Sequence, residues 1–194
     1  MDSNTIIIAF GANVPSALGS PSDAIKEAFK RLCDASLRPS AMSRFYRSPA
    51  YPAGSGPDFV NACGCFEVSG SPYDVLYLLH EIEAELGRTR LVRWGARVID
   101  LDLIAYGDRV LPEEMTLRHW RGLPFEEQQI ATPQELILPH PRLEDRGFVL
   151  IPMAEVAPNW RHPLTLKTVR QMIAELPAAQ TEGLTAFDPA QLCE

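Results

Sequence analysis

The sequence predicts an α+β, ferredoxin-like fold, because its predicted elements follow the order β-α-β-β-α-β of the split-βαβ motif. Two observations support this order. Apolar and β-branched runs predict four strands, and two Ser-Pro pairs, at residues 20 and 71, open apolar patterns with helical spacing. A third observation is that no linker, repeat or low-complexity tract divides the 194 residues. We therefore expect a single domain over residues 1–194.

Each element has a local signal. The run 5–10 is β-branched and apolar, which predicts a buried first strand. Ser20 and Pro21 are typical of the N-cap and the first position of a helix, and Ser71 with Pro72 repeats the signal for a second helix that Gly87 would end. The other predicted elements of this half are a strand over 42–46, a proline-rich loop over 48–57, and strands over 59–68 and 97–106.

The second half is less regular. Residues 109–135 read as a polar insertion after the fourth strand, in which Thr132 resembles a helix cap, and we expect the insertion to be peripheral to the chemistry. An apolar turn or short helix follows over 146–156, and an amphipathic helix over 165–176. We expect a loosely held tail over 177–194.

The net charge of −7 argues against non-specific binding to nucleic acid. The apolar run at 6–10 is too short for a signal-peptide core or a membrane span, so we expect a cytoplasmic protein with neither a nucleic-acid nor a membrane partner. A local basic cluster nevertheless fits an anionic small substrate, since four arginines fall within ten residues: Arg88, Arg90, Arg93 and Arg97.

Asp100 and Asp102 are the most informative pair of residues. Side chains alternate across a strand, so Leu101 and Leu103 would face the core while the two carboxylates lie side by side on the other face. Such carboxylates repel each other unless a cation lies between them, and Mg²⁺ often takes one or two carboxylates together with phosphate oxygens. The alternative is a solvated strand face, although aspartate is a poor strand former.

The arginines upstream of this strand strengthen the metal interpretation. Guanidinium groups donate bidentate hydrogen bonds to phosphate oxygens. A carboxylate-bound metal beside such groups is typical of sites for phosphoryl transfer. No Walker-type glycine-lysine loop is present, so a P-loop enzyme is excluded. An exposed basic loop is the alternative interpretation.

Nine short motifs together resemble the 6-hydroxymethyl-7,8-dihydropterin pyrophosphokinase family. They are FGAN at 10–13, FYRSP at 45–49, PDFVN at 57–61, GRTR at 87–90, RWGAR at 93–97, DLD at 100–102, LPHPR at 138–142, RGFVL at 146–150 and EVAP at 155–158. The resemblance implies a ferredoxin-like fold and a role in folate biosynthesis. It also implies that the pterin hydroxymethyl oxygen attacks the β-phosphorus of ATP, giving the pterin diphosphate and AMP.

The resemblance also implies roles for individual residues on the nucleotide side. Asp100 and Asp102 would hold two Mg²⁺ ions that bridge the ATP phosphates and the substrate hydroxyl. The residues implied to bind ATP are Glu83, Arg88, Arg90, Arg97, His140 and Arg146, and all of these except Glu83 are also the implied catalytic residues. Taken alone, His140 between two prolines is more often a loop histidine than a functional one.

On the pterin side, the implied binding residues are Ser48, Pro49, Phe59, Asn61, Trp94 and Phe148. Phe59 and Phe148 would sandwich the ring, Asn61 would hydrogen-bond its edge, and Trp94 would close over it. Judged alone, the two phenylalanines are better interpreted as core residues. Asn61 lies in an apolar strand, where its amide needs a partner.

Two alternatives to the enzyme stay open: a pterin- or nucleotide-binding module without catalysis, and a metal-dependent nucleotide hydrolase. The intact carboxylate pair and arginines argue against the first, and the aromatic clamp against the second. Ala12 and Ala96 stand where the family usually has serine and proline. The insertion borders the expected adenine pocket, which leaves the adenine contacts open. We expect a monomer, with an oligomer through the insertion as the alternative.

Overall fold

The structure is a computed structural model that describes residues 3–50, 56–88 and 97–188. Its helices and strands confirm the predicted ferredoxin-like class. In chain order they are β1 (Thr5–Ala12), α1 (Pro21–Asp34), β2 (Arg38–Met42), β3 (Phe45–Ser48), β4 (Phe59–Glu67), α2 (Pro72–Glu85), β5 (Asp100–Tyr106), α3 (Glu114–Gly122), α4 (Phe125–Ile130), α5 (Gly147–Val156), α6 (Val169–Glu175) and β6 (Thr185–Phe187). In the described parts of the chain, no helix has the length and apolar character needed to cross a membrane.

All strand pairs are antiparallel, and the sheet has the order β5-β1-β4-β3-β6, with β2 also paired to β4. β2 and β3 together take the place of the second strand of a split-βαβ fold. The prediction of one strand over 42–46 was therefore wrong, because the chain breaks between Met42 and Phe45. At this break the backbone N–H of Ser43 donates to the Cys63 carbonyl over 2.9 Å, which keeps the two short strands against β4.

The first strand is buried on both faces, which explains why it reads as a continuous apolar run. Ile6, Ile8 and Phe10 pack in a core cluster with residues of α1 and α2. Ile7 and Ala9 pack on the opposite face with residues of α5 and α6. The sheet thus lies between two helical layers, and the site residues must emerge at an end of the strands.

The two predicted helix starts are confirmed. Ser20 and Ser71 each accept a hydrogen bond from the aspartate backbone three residues on, and each aspartate side chain accepts one from the backbone of the cap. Gly87 follows the last residues of α2 with φ +89°, a left-handed conformation that favours glycine. The fourth strand begins at Asp100, three residues later than predicted.

The insertion contains two helices, α3 and α4, that the sequence did not reveal. Its base is closed by a backbone pair in which Leu111 and Leu138 exchange N–H to carbonyl hydrogen bonds of 2.9 and 3.1 Å. Leu117 of α3 is fully buried. The cap predicted at Thr132 was wrong, since no helix begins there.

The end of the chain also differs from the prediction. The helix expected from residue 165 begins at Val169, capped by Thr168, because residues 162–167 form a turn whose N–H groups at Leu164 and Thr165 donate to His162 Nδ1. The turn or short helix expected over 146–156 is the helix α5, with Pro152 inside it. The expected loose tail contains β6, which pairs with β3, so residues 185–187 are part of the sheet.

The buried His162 should make the stability of the fold sensitive to acid. Burial lowers the pKa of His162 from the usual 6.5 to about 4. Because the unfolded chain then binds a proton more readily, the resulting stability is present above about pH 6.5 and is lost as the pH falls toward about 4. This loss should reach up to about 3 kcal/mol in urea unfolding.

The matched control is His162→Asn, whose side-chain oxygen can still accept the two backbone hydrogen bonds but does not titrate. Its free energy of unfolding should fall less between about pH 7 and about pH 5 than that of the wild type. Equal losses in the two proteins would show that His162 does not titrate in this range.

Candidate active site

The two β5 carboxylates lie on the face that the sequence predicted. Leu101 and Leu103 belong to the core cluster shared with α1 and α2, so Asp100 and Asp102 point to the other side of the sheet. On the neighbouring strand β1 they are opposite Gly11 and Ala9, respectively. Both neighbours are small, which leaves space above the carboxylates.

Asp100 is held by two arginines. Arg88 Nη2 lies 2.7 Å from Asp100 Oδ1, and Arg97 Nη1 pairs with Oδ2. Burial, and then the charge of Asp102, raise the pKa of Asp100, while these arginines oppose the rise. The carboxylate is therefore in a position where a cation is needed.

Asp102 is held from a different element. Arg146, which precedes α5, places Nη1 at 3.3 Å from Asp102 Oδ2. The same guanidinium lies 5.7 Å from the centroid of the Phe148 ring. Arg146 thus connects the carboxylate face with one of the two predicted pterin-stacking residues.

Glu83 lies beneath this pair. It is 1 % exposed, accepts a 2.8 Å hydrogen bond from the Leu101 backbone N–H through Oε1, and pairs with Arg88. It therefore fastens the end of α2 to β5 and orients Arg88. These contacts make Glu83 part of the support of the site, and the sequence assigned it to ATP binding only through the resemblance.

His140 joins the site through the backbone of β5. Its N–H donates to the Ile104 carbonyl over 2.9 Å, and its Nδ1 accepts from the Arg142 N–H over 3.1 Å. Burial, and then the charges of Arg146 and Arg142, hold the pKa of His140 well below its usual range. Since Nδ1 is an acceptor, the neutral ring carries its proton on Nε2, which is a hydrogen-bond donor suited to a phosphate oxygen.

Asn61 provides a buried amide group on the side that the sequence predicts to bind the pterin. It is 4 % exposed and donates from Nδ2 to Ser48 Oγ over 2.9 Å, which supplies the partner that a buried amide needs. Asn61 and Asp100 flank Gly11 on the two strands next to β1. A β-carbon at Gly11 would lie 3.7 Å from Asn61 Oδ1 and 3.8 Å from Asp100 Cβ, so this glycine keeps the floor between amide and carboxylate open.

Phe59 and Phe148 come from opposite ends of the site. Phe59 is the first residue of β4 and is opposite Ser48 on β3, while Phe148 is in the first turn of α5. Both are half-buried. Phe148 also packs at the margin of the core cluster shared with α6, so the core interpretation holds for part of its ring.

The segment before β6, residues 180–184, packs against two parts of the predicted site, which the sequence did not predict. A β-carbon at Gly183, where φ is +74°, would come within 2.9 Å of Pro49 Cγ. A β-carbon at Gly147 would come within 1.9 Å of the Gln180 carbonyl oxygen. The segment before β6 therefore packs closely against both Pro49 and the start of α5. A three-residue strand has too little pattern to reveal this from sequence.

Asn13 also supports the site, although the sequence analysis gave it no role. Its Oδ1 accepts from the Arg97 N–H over 2.7 Å, and its Nδ2 donates to the Pro57 carbonyl over 3.2 Å. One side chain thus holds the backbone next to Arg97 and the backbone that leads into Phe59. The only sequence signal was the position of Asn13 in the FGAN motif.

The described residues thus bring together most of the predicted site. The residues linked around the β5 carboxylates by contacts or charge are Glu83, Arg88, Arg97, Asp100, Asp102, His140, Arg146 and Phe148. Ser48, Phe59 and Asn61 lie on the same side of the sheet, and Pro49 follows Ser48 and packs against Gly183. Arg90 and Trp94 lie outside the described residues. Within 3–50, 56–88 and 97–188, no group of three or more His, Cys, Asp or Glu side chains could hold a metal ion.

A model of the 7,8-dihydro-6-hydroxymethylpterin-pyrophosphokinase family matches residues 7–158. The chain belongs to this family. It is 35 % identical over 170 residues to a 2-amino-4-hydroxy-6-hydroxymethyldihydropteridine pyrophosphokinase of Synechocystis, covering 88 % of this chain and 75 % of the relative. The Pseudomonas aeruginosa enzyme of the same name is 33 % identical over 161 residues, with 81 % of this chain and 83 % of the relative covered.

Among solved structures, the Plasmodium falciparum HPPK-DHPS protein with pteroate matches with a TM-score of 0.61 and 12 % identity. The match covers 89 % of this chain but only 42 % of the Plasmodium chain, and at this identity it supports the fold alone. The predicted family, fold and reaction in folate biosynthesis are confirmed. Residues 159–188, which include α6 and β6, lie beyond the part that the family model matches.

The carboxylate pair generates a direct prediction. Asp100→Asn or Asp102→Asn should leave a folded protein with activity reduced by about a hundredfold or more, because each removes a charge that the sequence predicts to hold a cation against the triphosphate. Steady-state turnover at saturating Mg²⁺ measures this loss. Asp108→Asn is the matched control, because Asp108 is exposed just beyond β5 and should keep near-normal turnover. Near-normal turnover in all three variants would contradict the assignment.

Proposed function

We propose that this protein is a Mg²⁺-dependent diphosphokinase that moves the β,γ-diphosphate of ATP to the hydroxymethyl group of 6-hydroxymethyl-7,8-dihydropterin and releases AMP. The observation that carries the proposal is the pair Asp100 and Asp102 on one face of β5, enclosed by Arg88, Arg97 and Arg146. The buried amide of Asn61 lies two strands away on the same sheet, at the level of Asp100.

The arginines explain how the site accepts a triphosphate. Each of the three guanidinium groups that now pairs with a carboxylate has further N–H donors and can turn to phosphate oxygens. Asp100 and Asp102 would then hold two Mg²⁺ ions. When bound, Mg²⁺ would neutralise the triphosphate and polarise the substrate hydroxyl, and two carboxylates with phosphate oxygens and water suit its coordination.

His140 and Arg146 would bind the phosphates from the side of α5. The neutral His140 ring offers Nε2–H as a donor, and Arg146 lies between Asp102 and the Phe148 ring. During transfer, a bond forms between the hydroxymethyl oxygen and the β-phosphorus as the bond from that phosphorus to the α–β bridging oxygen breaks, and the hydroxyl proton passes to water. Charge develops on the departing AMP, where positioned cationic donors stabilise it.

On the other side, Asn61 would hydrogen-bond the edge of the pterin and Ser48 would line the pocket. Phe59 and Phe148 would stack on the two faces of the pterin ring. The Asn61–Ser48 hydrogen bond fixes which way the amide points, so its oxygen is oriented before the substrate arrives. Pro49 would line the pocket, supported by the segment around Gly183. The roles of Arg90 and Trp94, the monomeric state and the cytoplasmic location stay predictions.

Phosphorus NMR of the products tests the proposal. The protein is incubated with ATP, Mg²⁺ and 6-hydroxymethyl-7,8-dihydropterin, and the expected result is AMP and a pterin-linked diphosphate in equal amounts. Omission of the pterin should abolish AMP release, and chelation of Mg²⁺ should abolish both products.

Other products would assign a different function. ADP would indicate an ordinary kinase that directs the acceptor to the γ-phosphorus. Phosphate or diphosphate released without the pterin would indicate a nucleotide hydrolase. A folded protein with both substrates and metal that makes no product would be a binding module.

A further inference from the structure

The insertion over residues 109–135 is fastened to the nucleotide side of the site rather than lying apart from it. Its base is closed by the Leu111–Leu138 backbone pair, two residues before His140. Its helix α3 buries Leu117, and this anchors the helix. The C-terminal turn of α3 then presents Arg121 toward the segment that leads to Arg146.

Arg121 Nη2 pairs with Glu144 Oε2. The other oxygen of the same carboxylate, Oε1, accepts a 3.2 Å hydrogen bond from Thr165 Oγ1. Glu144 is the middle residue of a single 3-10 turn, Leu143–Asp145, that connects His140 with Arg146. One carboxylate thus ties this turn to the insertion on one side and to the segment before α6 on the other.

The backbone of the turn is shaped by local hydrogen bonds. Within it, the N–H of Leu143 donates to the His140 carbonyl over 3.0 Å, and the N–H of Arg146 donates to the Leu143 carbonyl over 3.4 Å. Leu143 anchors the turn in the core. These contacts fix its internal shape, whereas the side chain of Glu144 holds its far edge in place.

The charges lead to the same conclusion. Burial, and then the charge of Glu144, raise the pKa of Asp145, while Arg142, Arg121 and Arg146 oppose the rise. A triphosphate bound by Arg146 would add more negative charge nearby. Arg121 compensates Glu144 and so keeps this carboxylate from repelling the nucleotide.

We infer that Arg121, acting through Glu144, is a positioning residue for the ATP triphosphate: it holds the turn that carries Arg146. The inference rests on the proposed function, because it takes Arg146 as a phosphate ligand. It assigns the insertion a part in nucleotide binding, whereas the sequence suggested a peripheral segment.

The Arg121–Glu144 ion pair is less exposed to solvent than an ordinary surface ion pair. The side chains of Arg121 and Glu144 are 22 % and 20 % exposed. On the same helix, Arg118 pairs with Glu114 at 58 % and 59 % exposure, and pairs as open as this contribute little. Arg118 therefore provides a matched control that removes the same charge from the same helix.

The test compares Arg121→Gln with Arg118→Gln. Binding of a non-hydrolysable ATP analogue with Mg²⁺ is measured by calorimetry without pterin, and the KM values for ATP and pterin are measured with both substrates. For Arg121→Gln we expect Kd and KM for the nucleotide to rise about tenfold while the KM for pterin is unchanged. Arg118→Gln should match the wild type.

Two further variants separate positioning from general destabilisation. Thr165→Val removes the second hydrogen bond to Glu144 without changing charge, and should weaken nucleotide binding in the same direction. Arg121→Lys keeps the charge opposite Glu144 and should bind the analogue more tightly than Arg121→Gln does.

The inference is overturned if Arg121→Gln binds the analogue as well as Arg118→Gln does, or if both KM values rise together. It is also overturned if Arg121→Lys is as weak as Arg121→Gln. A wild type that releases no AMP would contradict the proposed function. The calorimetric comparison would still decide the role of Arg121, because it does not need turnover.

Discussion

Two neighbouring carboxylates on one face of a sheet strand must each be compensated by positive charge, and much of this molecule is arranged around that requirement. Asp100 and Asp102 are compensated by arginines from three places: Arg88 after α2, Arg97 before β5 and Arg146 before α5. Arg97 is three residues before Asp100, whereas Arg146 is 44 residues after Asp102, so the fold itself brings this distant cation to the pair. Without α2 and α5, Asp100 would lose Arg88 and Asp102 would lose Arg146.

The support of these arginines follows from the same constraint. Glu83 is buried, holds Arg88 and accepts the Leu101 N–H, so it fixes both the cation and the strand that carries the anions. Asn13 holds the backbone at Arg97. Among the described residues, the three carboxylates of Glu83, Asp100 and Asp102 balance the charge of the three guanidinium groups with which they pair, those of Arg88, Arg97 and Arg146. Adding a metal ion alone, or a triphosphate alone, disturbs this balance, whereas adding both together preserves it. Metal and nucleotide binding are therefore expected to depend on each other.

The sequence predicted what local patterns determine. Ser20 and Ser71 are N-caps, and this local signal predicted where both helices begin. The alternation at 100–103 predicted the face of the two aspartates correctly, because side chains in a strand alternate with period two. The parts it missed depend on distant partners. The break after β2 is held by Cys63 and by Arg44 with Glu155, and β6 exists because β3 lies beside it. Arg121 meets Glu144 only after α3 has formed, and no spacing in the sequence reveals that contact.

The mutual dependence of metal and nucleotide is most directly tested with Mn²⁺, whose electron paramagnetic resonance signal reports binding. Mn²⁺ is titrated into the protein alone, into a non-hydrolysable ATP analogue alone, and into both together. With Arg88, Arg97 and Arg146 on the carboxylates, the protein alone should bind Mn²⁺ weakly, and the mixture should bind more than the sum of the two separate titrations. Tight binding of Mn²⁺ by the protein alone, unchanged when the analogue is added, would contradict the account.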